Sequence, residues 1–104
     1  MKLKIYIAGP MTGRPNYNRK AFNDMTNCLS QLGHSVLNPA ALPVGLEESS
    51  YMDICLAMIR ASTAMYMLDG WQDSQGAKTE YNYAIKLGLP ITFENNEINE
   101  EVTH

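Results

Sequence analysis

Short apolar segments alternate with longer amphipathic segments along the chain. The short segments have strand length and are bounded by turn residues, so they predict strands at residues 3–8, 35–37, 64–68 and 89–93. The longer segments repeat apolar residues at spacings of three and four, so they predict helices at residues 18–32, 50–61 and 76–87. The first helix illustrates this spacing with Phe22, Met25, Leu29 and Leu32. The predicted order is β-α-β-α-β-α-β.

Strands that alternate with helices favour parallel pairing and right-handed crossovers. We therefore expect an α/β chain with a three-layer Rossmann-like (flavodoxin-like) fold and a four-stranded parallel sheet. Residues 1–93 form its single domain, and residues 94–104 form an acidic C-terminal tail without a core pattern. Ligands of such sheets bind beyond the carboxyl ends of the strands, where the strand order reverses.

Turn residues mark the expected ends of the helices. Gly33 and Gly88 follow the first and third helices, a common position for a C-terminal glycine. Ser49 or Ser50 is the expected N-cap of the second helix. Residues 40–50 lack periodicity and predict an ordered loop.

Composition restricts the classes of partner. The chain has 104 residues and a formal net charge of −3, which argues against binding a nucleic acid polymer because such domains need a basic surface. No run is long and apolar enough to span a membrane, and the first residues lack a signal-peptide pattern, so the expected location is the cytoplasm. Cys28 and Cys55 lack zinc-site spacing and predict two buried, reduced thiols, with neither a metal nor a cofactor.

Three carboxylates fall where the predicted strand ends meet. Glu80 lies about one turn inside the third helix, near its positive end, where a carboxylate is favoured. Asp73 precedes that helix, and Asp53 lies in the first turn of the second. Each has a structural alternative as a cap or dipole partner. Together they are compatible with glycosyl transfer, in which one carboxylate is the nucleophile and another handles protons.

The loop after the first strand is a candidate anion site. Its small residues and Arg14, which stands in a basic cluster with Arg19 and Lys20, can hold a phosphate through backbone N–H groups and a guanidinium. The alternative is a tight turn without a ligand. Trp71 is a candidate to stack on a base, and the alternative there is packing. The loop residues are Gly9, Pro10, Met11, Thr12 and Gly13.

Two segments resemble the nucleoside 2-deoxyribosyltransferase superfamily. Residues 5–10 (IYIAGP) resemble its opening strand and loop, and residues 73–84 (DSQGAKTEYNYA) resemble its Asp-x-Gly-x-x-x-Glu-x-Gly-x-Ala segment. Asp53 and the helix that follows it resemble the preceding Asp segment of that superfamily. The chain is most similar to a small, often phage-encoded branch described as a domain of unknown function.

The resemblance implies a chemistry and a set of roles. Glu80 would attack the anomeric carbon of a nucleoside and form a glycosyl ester, which a second base or water resolves. Tyr6 would lie near Glu80, Asp53 near the base, and Asp73 near the sugar or base. The loop from Gly9 to Arg14 would face a 5′-phosphate. Further substrate-binding positions are expected at Trp71, Ser74 and Gly76.

Two functions of different classes remain open. The first is an enzyme, an N-glycosidase or deoxyribosyltransferase acting on a nucleoside or its 5′-monophosphate. The second is a non-catalytic protein that binds or sequesters a nucleotide in the same cleft, and the short chain after the fourth strand favours it. The small core and the apolar second helix predict a homodimer or higher homo-oligomer, with Tyr51 and Met58 as candidate interface residues.

Overall fold

The computed structural model of the protein describes residues 2–95. Four strands alternate with three helices of thirteen residues, and the predicted element order is confirmed. The strands are β1 (Lys4–Ala8), β2 (Ser35–Leu37), β3 (Ala64–Met67) and β4 (Ile91–Phe93). The helices are α1 (Arg19–Gln31), α2 (Glu48–Arg60) and α3 (Gln75–Leu87). One-turn 3-10 helices lie at Pro15–Asn18, Pro39–Ala41 and Trp71–Asp73.

All strand pairs are parallel, and the strand order is β2-β1-β3-β4. The order reverses between β1 and β3. The strand that follows β1 in the chain, β2, lies on one side of this pair, and the strand that follows β3, β4, lies on the other side. The predicted four-stranded parallel sheet is therefore confirmed, and its switch point lies between the first and third strands.

Alternate residues of β1 serve opposite faces of the sheet. Ile5 and Ile7 pack against α1 on what we call the α1 face. Tyr6 and Ala8 pack against α2 and α3 on what we call the α2/α3 face. Helices cover both faces, so the fold has the three predicted layers.

The helix boundaries follow the sequence closely at α1 and α3. The residue after the C-cap of α1 is Gly33, with φ +96°, and α3 ends on Gly88, with φ +77°. The expected start of α2 is wrong. Its N-cap is Glu47, because the N–H groups of Ser50 and Tyr51 both donate to the Glu47 carbonyl. The preceding segment also contains the turn at Pro39–Ala41, where the Asn38 side chain accepts from the N–H of Ala40.

Three consecutive residues before α1 adopt left-handed backbone conformations. Asn16, Tyr17 and Asn18 have φ values of 49°, 55° and 61°. For residues with a side chain, this region costs about 1–2 kcal/mol each. Two hydrogen bonds hold the turn: Asn18 Nδ2 donates to the Pro10 carbonyl at 2.9 Å, and the N–H of Tyr17 donates to the Arg14 carbonyl at 3.0 Å.

The first residue of the predicted C-terminal tail contacts the sheet. Glu94 is tied to β3, because its N–H donates to the Met67 carbonyl and its side chain accepts from the N–H of Asp69, each at 2.8 Å. The remainder of the predicted tail, residues 96–104, lies outside the described residues. Within residues 2–95, the helices are all too short or too polar to cross a bilayer.

The two candidate interface residues are engaged within the chain. The Tyr51 hydroxyl donates to the Pro43 carbonyl and accepts from the N–H of Leu46. Met58 packs against the cluster on the α2/α3 face. The homodimer stays a prediction.

Candidate active site

A cleft of about 740 Å³ opens at the carboxyl ends of the strands. This volume lies in the range of about 300–1,000 Å³ that is usual for small-molecule sites. Its lining includes the first residues of α1, α2 and α3, because every helix of this parallel fold starts at the edge where a strand ends. The cleft therefore lies where the sequence predicted a ligand site.

Gly9 allows the loops at this edge to approach each other. A Cβ atom at this position would stand 2.9 Å from the Cβ of Leu68, closer than packed carbon atoms come. The chain leaving β1 can therefore run directly beside the end of β3, and any larger residue would push the two strand ends apart.

The floor of the cleft holds a buried carboxylate. Glu80 on α3 is 9% exposed and Tyr6 on β1 is fully buried. The Tyr6 hydroxyl donates a hydrogen bond of 2.9 Å to Glu80 Oε2. Burial raises the pKa of Glu80 to about 7, and hydrogen bonds from Tyr6 and Cys55 oppose the rise. Burial and then the charge of Glu80 raise the pKa of Tyr6 well above its usual range, so its hydroxyl keeps the proton that it donates.

Cys55 completes the floor. It is a free, buried thiol on α2 that lines the cleft and faces the same carboxylate. The same burial was expected for Cys28, which is instead exposed on α1. Burial raises the pKa of Cys55 to about 11, so it is a neutral thiol at physiological pH. The inward stripe of the second helix marked Cys55 as buried. Its contact with Tyr6 and Glu80 depends on how α2 and α3 pack, which the sequence pattern does not reveal.

Two walls rise from this floor. One is the largely apolar segment that leads into α2, and the Tyr51 hydroxyl fastens it. The other is the loop between β1 and α1. The first wall contributes Leu42, Val44, Gly45 and Leu46. The second contributes Met11, Thr12, Tyr17 and Arg19.

The sequence matches the model of the family described as a domain of unknown function (DUF4406) over residues 3–93. The chain belongs to this family. Among curated proteins, none matches the sequence. Among solved structures, the fold is similar to that of a 2-desoxiribosyltransferase from Leishmania mexicana, with a TM-score of 0.71 and 22% identity. That likeness covers 86% of this chain but only 62% of the Leishmania protein, and at this identity it shows the fold alone.

About half of the site residues predicted for this DUF4406 chain line the cleft. Glu80 and Tyr6 form its floor, and the other predicted residues in its lining are Gly9, Met11, Thr12, Ser74 and Gly76. Ser74 caps α3, because its hydroxyl accepts from the N–H of Ala77 at 3.2 Å. That bond fixes the start of the helix that carries Glu80.

The other predicted site residues lie outside the lining, namely Pro10, Gly13, Arg14, Asp53, Trp71 and Asp73. Asp53 is exposed on α2. Arg14 lies 3.7 Å from the Asp73 carboxylate, and its guanidinium packs so closely on Gly70 that a Cβ there would meet it at 2.7 Å. Trp71 packs against Tyr81 with 4.7 Å between ring centroids and the ring planes tilted by 33°.

The cleft residues that were not predicted as site residues include Arg19 and Cys55. Arg19 belongs to the same basic cluster as Arg14, the residue for which the sequence pattern suggested an anion-binding role. Its position as the first residue of α1 was the available signal, because helices in this fold start at the ligand edge. Within residues 2–95, no group of three or more acidic, histidine or cysteine side chains is arranged to hold a metal ion.

Proposed function

We propose that the protein cleaves or transfers at the N-glycosidic bond of a nucleoside or nucleoside 5′-monophosphate, with Glu80 as the nucleophile. The observation that carries the proposal is the buried carboxylate of Glu80, held by the Tyr6 hydroxyl at 2.9 Å on the floor of a ligand-sized cleft. Carboxylates positioned in this way form covalent glycosyl intermediates in other enzymes. The fold shared with the Leishmania 2-desoxiribosyltransferase supports the same class of substrate.

In the proposed reaction, a carboxylate oxygen of Glu80 attacks the anomeric carbon while the bond from that carbon to the base breaks. The electron pair of the broken bond leaves with the base, which takes a proton from water. Water then cleaves the ester on Glu80, which releases the sugar, or a second base displaces the ester oxygen, which completes a transfer. Tyr6 keeps the attacking carboxylate in one orientation throughout.

The nucleophile must be ionised, and this sets the pH dependence. Because the pKa of Glu80 is about 7, the reactive form is the minor one below that pH. We expect the rate of base release to rise as the pH increases through about 7 and then to level off.

A second candidate is a nucleotide-binding protein without turnover. The observation in its favour is that Asp53 and Asp73 lie outside the cleft lining. No carboxylate from those two positions is then available to protonate the leaving base.

Base release separates the two candidates. Purified protein is incubated with nucleosides and 5′-monophosphates, with and without a second free base, and the products are separated by chromatography. Under the proposal, Glu80→Gln lowers base release by several orders of magnitude because the amide cannot act as the nucleophile. Glu47→Gln, the same chemical change at an exposed position outside the cleft, leaves the rate unchanged. Equal rates for the parent and Glu80→Gln would contradict the role of Glu80, and tight binding without base release would favour the second candidate.

A further inference from the structure

We propose that Arg19 is the residue that binds the anionic group of the ligand, a phosphate monoester, in this cleft. The inference rests on the proposed function for the nucleoside class of the ligand and adds how its phosphate is recognised. It assigns to Arg19 the role that the sequence pattern suggested for Arg14.

The charges that line the cleft point to Arg19. Within the described part of the chain, the charged side chains of the lining are Arg19, Glu48 and Glu80. A ligand phosphate would be repelled by either carboxylate. Arg19 is thus the single cationic group of the described lining that could offset the negative charge of the ligand.

The three early cations differ in what they contact. Lys20 pairs with Asp24 at 2.7 Å, and Arg14 lies 3.7 Å from Asp73. Arg19 forms no ion pair with a carboxylate in the region from residue 2 to residue 95. Its Nη1 donates to Asn16 Oδ1 at 3.2 Å, which leaves other donors of its guanidinium for a ligand.

The surroundings of Arg19 hold its guanidinium in place. Its central carbon lies 5.3 Å from the centre of the Tyr17 ring, within the range of a cation–π contact. Tyr17 and Asn16 belong to the left-handed turn, so this costly backbone conformation presents both partners to Arg19. A guanidinium fixed in this way loses less side-chain entropy when it binds a phosphate.

The start of α1 adds a favourable field at the same place. Its first turn contains no acidic residue, and the side chain of its N-cap, Asn18, donates to Pro10 instead of capping the helix. The N-terminal end of α1 lines the cleft at Arg19 and has no side-chain acceptor from Asn18, although the N–H of Arg19 itself donates to the Asn16 carbonyl. The positive end of the helix dipole at this place favours an anion beside Arg19.

Calorimetric titration tests the assignment in the Glu80→Gln background, where the ligand is not consumed. The probes are the common 2′-deoxynucleoside 5′-monophosphates, each compared with its own nucleoside. Arg19→Ala should weaken monophosphate binding about ten- to a hundredfold, the range for a charge-assisted contact, and leave nucleoside binding unchanged. Arg19→Lys, which keeps the charge but loses the planar fork, should give a smaller loss.

Two further variants isolate the role of Arg19. Lys20→Ala removes a neighbouring charge that is paired with Asp24 and should change neither affinity. Asn16→Gly removes the hydrogen bond to Arg19, keeps the charge of Arg19 and tolerates the left-handed φ of 49°, and should weaken monophosphate binding less than Arg19→Ala does. Circular dichroism establishes that each variant is folded.

Three results would overturn the assignment. They are equal losses for monophosphate and nucleoside in Arg19→Ala, a selective loss in Arg14→Ala instead, and no preference of the parent background for monophosphates. Base release by the protein without the Glu80 change is measured separately. Selective binding through Arg19 without base release would retain this inference and contradict the catalytic proposal, whereas base release without phosphate preference would do the reverse.

Discussion

On the α1 face of the sheet, the buried cluster consists entirely of apolar side chains, among them Ile5, Ile7 and Phe22. On the α2/α3 face, the same strand contributes Tyr6, which meets the carboxylate of Glu80 and the thiol of Cys55. Adjacent residues of β1 thus serve opposite purposes. The α1 face contributes stability through burial of apolar surface, while the other face includes an ionisable group whose charged form burial disfavours.

This difference implies that the buried carboxylate of Glu80 makes the stability of the α2/α3 face depend on pH. The pKa of Glu80 is about 7 in the folded protein, above the usual value for a glutamate. The folded state therefore binds more protons than the unfolded state between about pH 4.5 and 7. The contribution of protonated Glu80 is fully present below that window and is lost as the pH rises through it.

The largest expected change in stability is on the α1 face. Ile7→Ala should lower the free energy of unfolding by about 2–5 kcal/mol, since it removes a fully buried side chain and leaves a cavity. The loss should be the same at pH 5 and pH 8, because no ionisable group belongs to this cluster of buried side chains. Urea denaturation at both pH values measures it. A loss that differs between the two would mean that the faces are coupled.

The next largest effect is a gain in the free energy of unfolding. Relative to the parent, Glu80→Gln should be more stabilising at pH 8 than at pH 5. The amide is neutral at both pH values, whereas the parent carboxylate is mostly charged at pH 8 and mostly protonated at pH 5. The difference between a pKa of about 7 and the ordinary glutamate value of 4.5 corresponds to roughly 3 kcal/mol across the window. The same denaturation series measures it, with Glu47→Gln as the exposed control. Parallel pH profiles for the parent and Glu80→Gln would contradict a buried, perturbed Glu80.

The fold and the floor of the cleft could largely be predicted from the sequence. Hydrophobic periodicity depends on which side chains are buried, and it located all strands, α1 and α3. It also placed Glu80 at the ligand edge, whereas the place of Tyr6 beside it was implied by the family resemblance. The resemblance to a nucleoside-processing superfamily named the same two residues, and the structure brings them within 2.9 Å of each other.

The rim of the cleft could not be predicted in the same way. Arg14 and Arg19 belong to the same basic cluster of the sequence, and the left-handed turn at Asn16, Tyr17 and Asn18 decides how the chain between them runs. Periodicity carries no signal for such a turn. Helix geometry could have shown that Asp53 does not face the cleft. Asp53 neighbours the inward-facing Met52, and a step of about 100° per residue turns it away from the stripe that faces the cleft.

The smallest of the expected effects concerns the single hydrogen bond that links β1 to Glu80. Tyr6→Phe keeps the ring in the core but removes the donor to the carboxylate. A hydrogen bond to a charged group contributes about 1.5–3 kcal/mol, so its loss should raise the pKa of Glu80 by about one to two units. The destabilisation should therefore be larger at pH 8 than at pH 5, where Glu80 is mostly protonated.

The pH profile of base release gives an independent measure of the same bond. In Tyr6→Phe, the acidic limb of kcat/KM should move to higher pH by the same one to two units, because more alkaline conditions are needed to ionise Glu80. Tyr66→Phe is the matched control, since it removes a tyrosine hydroxyl beside the α1 face and should leave the limb in place. If Tyr6→Phe lowers the rate equally at every pH, the hydroxyl contributes by orienting the carboxylate and not by stabilising its charge. An unchanged profile and rate would remove Tyr6 from the site.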